Sequence, residues 1–468
     1  DILRDQCGFK GVTISDYTAT EEVINHKIAR TKSEAASLCM KAGLDIEMIA
    51  TAYLDTLEDQ IILDSELKKA LNDATKRILT LKYRLGLFDN PYKNIYHDYE
   101  NHWMKPEFLD TALQMSHESV VLLENKGILP LSKQQKIALI GPFADSRNLV
   151  GAWGGKALDE DCVSLAEGLT NLQADYQLVK WIDEEKDLKL EFRRIIDSTA
   201  NHDLVLMAIG EPQDESGEAK SKTDIELKKH QKEVINSLLE ANRKIVLVVF
   251  SGRPLILSDF SGKVEAILYG WYLGTKMGNA LADILYGKVN PSGKLPMTFP
   301  RSIGQIPIYY NHLNTGRPVD PQDEDYIYKS RYIDSPNSPL YSFGHGLSYS
   351  EFKYTDIQVS DLTLAGDSQL TITFSLTNES DISGKEIAQC YIEAESFSVS
   401  RPVKQLVWFD KIKLAAHETK QVSFTLTQDD FAYLNIENKR TPENRNYILH
   451  VASSSEDIRL VSKIETKC

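Results

Sequence analysis

At 468 residues the chain is too long for a single hydrophobic core, and roughly two to four domains are expected. With 42% hydrophobic and 26% charged residues it has a globular composition, and no apolar run approaches the about 18 residues of a membrane span. A net charge of −15 argues against nucleic acid or an anionic membrane as partner, while a neutral substrate such as a sugar stays compatible.

Residues 1–88 alternate strand and helix. Val12, Thr13 and Ile14 form a β-branched run that reads as a buried strand ending on Ser15 and Asp16. A helix is expected near Thr18–Arg30 and another over Ser33–Lys41. Ala42–Met48 reads as a second strand ending in carboxylates, Asp45 and Glu47. Ser65–Leu85 is an amphipathic helix with Leu67, Leu71, Ile78, Leu81 and Leu85 on one face, stopped by Gly86 in the left-handed C-terminal role. These are two βα units, whereas a (β/α)₈ barrel needs eight. The segment therefore reads as the last quarter of such a barrel.

Residues 89–115 have linker composition around Asn90-Pro91, and Leu109–Leu123 reads as helical. Strands at Lys136–Ile140, Leu204–Gly210, Lys244–Val249 and Ala266–Tyr269 alternate with helices at Ile225–Glu240 and Thr275–Tyr286. That pattern means a parallel sheet covered on both faces, spanning 116–300. Residues 301–350 form an irregular connector with a polar loop around Asn314–Asp325. From 351 the period changes to two. Leu370–Leu376, Glu386–Ile392, Lys404–Lys413 and Gln421–Leu426 read as strands of a β-sandwich.

The five cysteines, Cys7, Cys39, Cys162, Cys390 and Cys468, are scattered and odd in number, without metal-ligand spacing. They read as free thiols of a reducing compartment, and with no signal peptide visible a cytoplasmic location is expected.

Two stretches carry chemistry. Asp16 ends a strand, where a barrel places catalytic groups; the alternative is that Ser15 or Asp16 caps the following helix. The stretch Glu211–Asp224 packs Glu211, Asp214, Glu215, Glu218 and Asp224 together. Such crowding disfavours ionisation, so one carboxyl is expected to keep a raised pKa, as a general acid needs. The alternative is a solvated acidic loop. Trp271 and Tyr272 could stack on a sugar or pack helix against sheet, and Gly344-His345-Gly346 reads as a tight turn docking the connector.

Nine strings together resemble glycoside hydrolase family 3 along essentially the whole chain: GFKGVTISDY (8–17), LKYRLGLFDNPY (81–92), VVLLENKGILPL (120–131), ALIGPFAD (138–145), GEPQDESGEAKSKTDIEL (210–227), SGRPLIL (251–257), NPSGKLPMTFP (290–300), YSFGHGLSYSEF (341–352) and RPVKQLVWFDKIKL (401–414). The resemblance is to its bacterial β-glucosidases. It implies a (β/α)₈ barrel, an α/β sandwich domain and a fibronectin-III-like β-sandwich, with Asp16 similar to the family's nucleophile and Glu218 to its general acid/base. It further implies retaining hydrolysis through a glycosyl-enzyme, with the carboxylates about 5–5.5 Å apart. Tyr17 stands where a Trp often follows the nucleophile, and Met48 falls near the aglycone side, although core packing is the simpler reading for it.

The resemblance also exposes what this chain lacks: the barrel portion holding most ligands of the sugar's hydroxyls. Asp214 and Glu215 are rivals to Glu218. The expected activity is that of a β-glucosidase acting on terminal non-reducing β-D-glucosyl residues of an oligosaccharide or an aryl or alkyl β-glucoside, with a β-xylosidase as the nearest alternative. No metal or organic cofactor is implied, and a second chain or a homo-oligomer could complete the barrel. The rival from another class is an inactive fragment serving as a carbohydrate-binding or structural module.

Overall fold

The computed structural model describes residues 2–95, 103–154, 158–181, 188–319 and 327–468, with the side chains of 188 and 189 excepted. Parts of two expected loops, 96–102 of the linker and 320–325 of the connector, lie outside the described residues. The chain divides into two compact units, residues 1–103 and 104–468.

The first unit holds a two-stranded parallel sheet, β1 (Ile14–Tyr17) beside β2 (Ile46–Met48). Four helices accompany it: α1 (Ala19–Asn25), α2 (Lys32–Lys41), α3 (Ala52–Leu63) and α4 (Ser65–Arg84). The α4 end is as expected. Gly86 sits at φ 67°, its N–H donates to Tyr83 O (2.9 Å) and the Leu87 N–H to Lys82 O (3.0 Å), closing the last turn with bonds a β-carbon would strain. Three expectations need correction. The strand is not buried: within β1 only Ser15 is, and Ile14 is 57% exposed, because β1 pairs only with β2 among the described residues. The first helix stops at Asn25, short of Arg30. Asp45 precedes β2 rather than ending it, since that strand covers only three residues. Apolar side chains expected on a buried face, Leu81 and Leu85, are exposed, as are Leu54 and Leu63 of the unexpected α3.

Asp45 instead ties this unit together. Its buried carboxylate takes Arg77 of α4 through Nε (3.1 Å) and NH2 (2.6 Å), Arg4 NH2 (2.8 Å) and the Thr13 N–H (3.0 Å). Burial alone would raise this carboxyl, but the Arg77 and Thr13 hydrogen bonds and the two guanidinium charges outweigh it and hold the pKa below the ordinary value. A lowered native pKa contributes stability that is complete above the unfolded-state pKa and is lost as pH falls through the native one. Acid melting of this unit should therefore set in below about pH 4. Asp45→Asn should cost about 3 kcal/mol, because two half-screened arginines lose their anion. Denaturant unfolding from pH 7 to pH 3 checks both: the variant should be destabilised at pH 7 and its stability should lose much of the wild-type acid dependence.

The second unit opens with α5 (Pro106–Ser119) and β3 (Val121–Asn125). The expected 109–123 helix is thus wrong at its end, and the expected linker is already helical from Pro106. A run of Val-Val-Leu-Leu fits helix or buried strand equally; pairing with β8 decides it. There follow β4 (Ile137–Ile140), α6 (Leu165–Asn171), β5 (Tyr176–Leu178), α7 (Leu188–Ser198), β6 (Leu204–Gly210), α8 (Lys229–Glu240), β7 (Ile245–Phe250), β8 (Ala266–Tyr269) and α9 (Met277–Leu285). The strands form one six-stranded sheet ordered β3-β8-β7-β6-β4-β5, parallel except for β3. Alternate residues feed two cores. Leu204, Leu206, Val246 and Val248 face one layer, and Val205, Met207, Leu247 and Val249 the other. Burial on both faces is why these strands read as unbroken apolar runs.

The rest is β9 (Phe352–Val359), β10 (Thr363–Ala365), β11 (Leu370–Asn378), β12 (Gly384–Ala394), β13 (Gln405–Leu414), β14 (Thr419–Leu426), a ribbon of β15 (Tyr433–Leu434) and β16 (Arg440–Thr441), β17 (Asn446–Ala452) and β18 (Ile458–Lys467). A five-stranded sheet, β10-β18-β17-β12-β13, and a three-stranded one, β14-β11-β9, enclose a single core, with strict in-out alternation along β11. The Gly344-His345-Gly346 turn docks the connector as expected. His345 Nε2 meets Leu123 O (3.0 Å), its carbonyl accepts from the Leu295 N–H (2.8 Å), and Lys294 Nζ donates to Gly346 O (2.9 Å).

Candidate active site

Asp16 and Glu218 belong to different compact units. In the first, Asp16 lies exposed in β1, and its Oδ1 accepts the N–H of Tyr17 (2.7 Å). Neither Ser15 nor Asp16 caps α1: the residue before that helix is Thr18, and no side chain caps it. Ser15 instead joins the strand ends. Its Oγ donates to Asp16 O (2.8 Å) and accepts the N–H of Met48 (2.9 Å). Tyr17 pairs with Met48 across the ladder, so Asp16, Tyr17 and Met48 share one end of the sheet. Tyr17 is 62% exposed and Met48 37%, so Met48 is not a core residue here. Both strands leave this end through a β-branched residue in the left-handed region, Thr18 (φ 55°) and Ile49 (φ 65°). Such residues cost about 1–3 kcal/mol each and cluster at functional sites.

In the second unit, β6 runs straight into the acidic loop. Two of the crowded carboxylates, Glu211 and Glu215, are answered by cations. Glu211, 1% exposed, takes Lys222 Nζ (2.5 Å), Ser251 Oγ (2.9 Å) and Arg253 NH1 (3.3 Å). Glu215 takes Lys222 (2.7 Å) and Lys228 (2.7 Å). Burial raises the Glu215 carboxyl, yet the two lysines outweigh it and hold its pKa below the usual range. Burial likewise lowers the Lys222 ammonium, and Glu211 and Glu215 more than restore it. The expectation of a raised carboxyl produced by mutual repulsion is therefore wrong for Glu215.

What the network does is hold the backbone. Arg253 NH2 donates to Glu215 O (2.8 Å) and Lys220 O (2.9 Å), bracketing Glu218, and the Tyr272 hydroxyl reaches Glu211 O and Pro212 O (both 3.1 Å). Gln213 Oε1 accepts the Gly151 N–H (2.8 Å). Glu218 sits between Gly217 (φ 105°) and Ala219 (φ 56°). A β-carbon at Gly217 would come within 2.7 Å of Ala152, so this loop approaches the 151–154 segment too closely for any larger residue. Glu218 is exposed, and among the described residues no cation pairs with it.

A cleft of about 290 Å³ contains Glu218, Asp214, Lys220 and Trp153, whose ring is 76% exposed. Glu215 is tied down by two lysines; Asp214 shares the cleft with Glu218. Trp271 packs edge-on against Tyr269 and Phe299, so the packing reading holds for it, and Tyr272 braces the loop. Sequence reasoning missed Trp153, Lys222 and Arg253. A tryptophan in the Gly-rich GAWGG run, outside any apolar periodicity, was the signal for the first.

Family models match in chain order. The glycosyl hydrolase family 3 N terminal domain matches residues 1–81, the family 3 C-terminal domain 120–349, and a fibronectin type III-like domain 386–455. A periplasmic beta-glucosidase of Salmonella typhimurium is 36% identical, covering 98% of this chain and 64% of that protein. A beta-xylosidase of Formosa agariphila is 34% identical over 99% and 66%. The crystal structure of a beta-glucosidase from Listeria innocua in complex with isofagomine superposes with a TM-score of 0.95 at 38% identity, over 100% of this chain and 65% of that one. The chain thus spans 64–66% of the length of these proteins. The fold expectation, the end of a barrel followed by an α/β sandwich and a fibronectin-III-like β-sandwich, holds.

The cytoplasmic expectation does not hold against the periplasmic relative. It rested on unpaired cysteines, but Cys162 and Cys390 are both buried, Cys390 within the β-sandwich core, and would stay unpaired in an oxidising compartment too. Three domain signatures in succession and similarity over the full chain at 34–38% identity establish that it belongs to glycoside hydrolase family 3.

Proposed function

We propose that this chain carries both catalytic carboxylates of a retaining β-glucosidase. Asp16 attacks the anomeric carbon, and Glu218 protonates the leaving oxygen and then deprotonates the water that releases the sugar. The observation that carries this is the treatment of the acidic loop: Glu211 and Glu215 are held by cations, the backbone is bracketed by Arg253, and Glu218 is exposed between two left-handed residues beside an exposed tryptophan. The substrate class is a terminal non-reducing β-D-glucoside, oligosaccharide or aryl or alkyl. Tyr17 and Met48 supply flat or apolar surface for the aglycone. The sugar's remaining ligands come from further barrel polypeptide. The location is periplasmic or secreted. The similarity to a beta-xylosidase supports β-xylosides as a second substrate reading.

The test compares hydrolysis of aryl β-glucoside, aryl β-xyloside and alkyl β-glucoside by the chain supplemented with the missing barrel portion. In Glu218→Gln, alkyl glucoside turnover should fall about 10²–10⁴-fold, with a smaller loss in glycosyl-enzyme formation from an aryl glucoside that leaves without protonation. An equal loss on both substrates would remove Glu218 from the acid role.

A further inference from the structure

A second cavity in the larger unit, of about 310 Å³, lies where the connector meets the β-sandwich and shares no lining residue with the Glu218 cleft. Its size suits a small molecule rather than a chain. Of its two adjacent tyrosines, Tyr310 is committed to the fold: it stacks on Phe343 (4.6 Å) and its oxygen accepts the Leu406 N–H (3.2 Å). Tyr309 is not. Its ring is 50% exposed, and no ring packs on it among the described residues.

Ser455, at the cavity wall, is 1% exposed, yet its hydroxyl has no hydrogen-bond partner among the described residues. A buried hydroxyl left without a partner is unfavourable and calls for an explanation. Lys404, anchored on Ser455 O (2.5 Å), and the exposed Glu456 add one charge of each sign, so the cavity does not select an ion.

A flat ring, a buried hydroxyl without a partner and a balanced donor and acceptor suit a neutral molecule with an apolar face and a rim of hydroxyls. We propose that this cavity is a second, non-catalytic site for a neutral pyranoside, with Tyr309 beneath the sugar ring and Ser455, Lys404 and Glu456 meeting its hydroxyls.

Saturation-transfer NMR titration of the 468-residue chain with methyl 1-thio-β-D-glucopyranoside, which is not readily hydrolysed, tests this without relying on catalysis. Wild type should bind. Tyr309→Ala should weaken binding about tenfold, and Ser455→Ala about fivefold. Ser455→Ala should not lower the melting temperature, since that hydroxyl serves no protein partner. Trp153→Ala, in the other cleft, should retain this binding. The proposal is overturned by a wild-type chain that does not bind, by Tyr309→Ala binding as wild type does, or by a loss confined to Trp153→Ala. It also fails if Tyr309→Ala only abolishes self-association of the chain and leaves sugar binding intact.

Discussion

Asp16→Ala should lower aryl β-glucoside hydrolysis by on the order of 10⁴-fold or more, with the melting behaviour of the protein little changed. Loss of the nucleophile removes the covalent route, whereas loss of a solvent-exposed strand-end side chain removes little packing. The structural cost is small because Asp16 accepts only the N–H of its own neighbour Tyr17, and the strand ends are held by Ser15 through Met48. The contrast with Asp45, buried twenty-nine residues on between two arginines, is the internal control. Substitution of Asp45 should act on stability first, and substitution of Asp16 on turnover alone. The measurement is kcat on the completed enzyme beside a thermal melt. An Asp16→Ala enzyme within tenfold of wild type would move the nucleophile elsewhere, and one that loses activity only by melting would make Asp16 a structural residue.

The second large effect is expected at Glu211, which touches no substrate in the proposed mechanism. Its side chain is 2% exposed and faces Lys222 and Arg253. Glu211→Ala leaves both cations beside a void, and breaking a buried ionic cluster in this way costs about 3–5 kcal/mol. The consequence for chemistry runs through Arg253. Freed of Glu211, its guanidinium no longer has a fixed position from which to hold Glu215 O and Lys220 O, and Glu218 loses its placement. We therefore expect a fall in kcat larger than the melting-temperature loss would account for at a temperature where the variant is folded. Glu211→Gln keeps the volume and the Ser251 bond, and should recover more stability than activity. Equal recovery of both would reduce Glu211 to a packing residue. The same loop has an acid limit: the lowered pKa of Glu215 means that its lysine bonds contribute above the ordinary glutamate range and are lost as pH falls below it.

The order of domains was legible from residue type and period. Unbroken apolar strands at 204–210 and 266–269 have the predicted bounds because both faces of that sheet are covered, so every position is selected for hydrophobicity. Period-two alternation located β11 and β14, although β11 runs on to Asn378 and β14 already begins at Thr419. Gly86 announced its helix end because only that residue type enters the left-handed region without strain. The candidate carboxylates Asp16 and Glu218 were picked out in the sequence on strings that resemble the family's.

Tertiary structure decided what pairing and charge complementation decide, since neither is a property of a local window. VVLLEN became a strand because β8 lay opposite it, and residues around 165–198 acquired helices and an edge strand only by packing on the sheet. Met48 came out exposed because β2 has one neighbour among the described residues. Above all, the acidic loop read as a cluster of repelling carboxylates, because Arg253 is thirty-five residues from Glu218 in sequence and reaches the loop only after β7 has been laid beside β6. A sequence counts the charges in such a loop; the fold alone determines which of them are answered and which are left exposed.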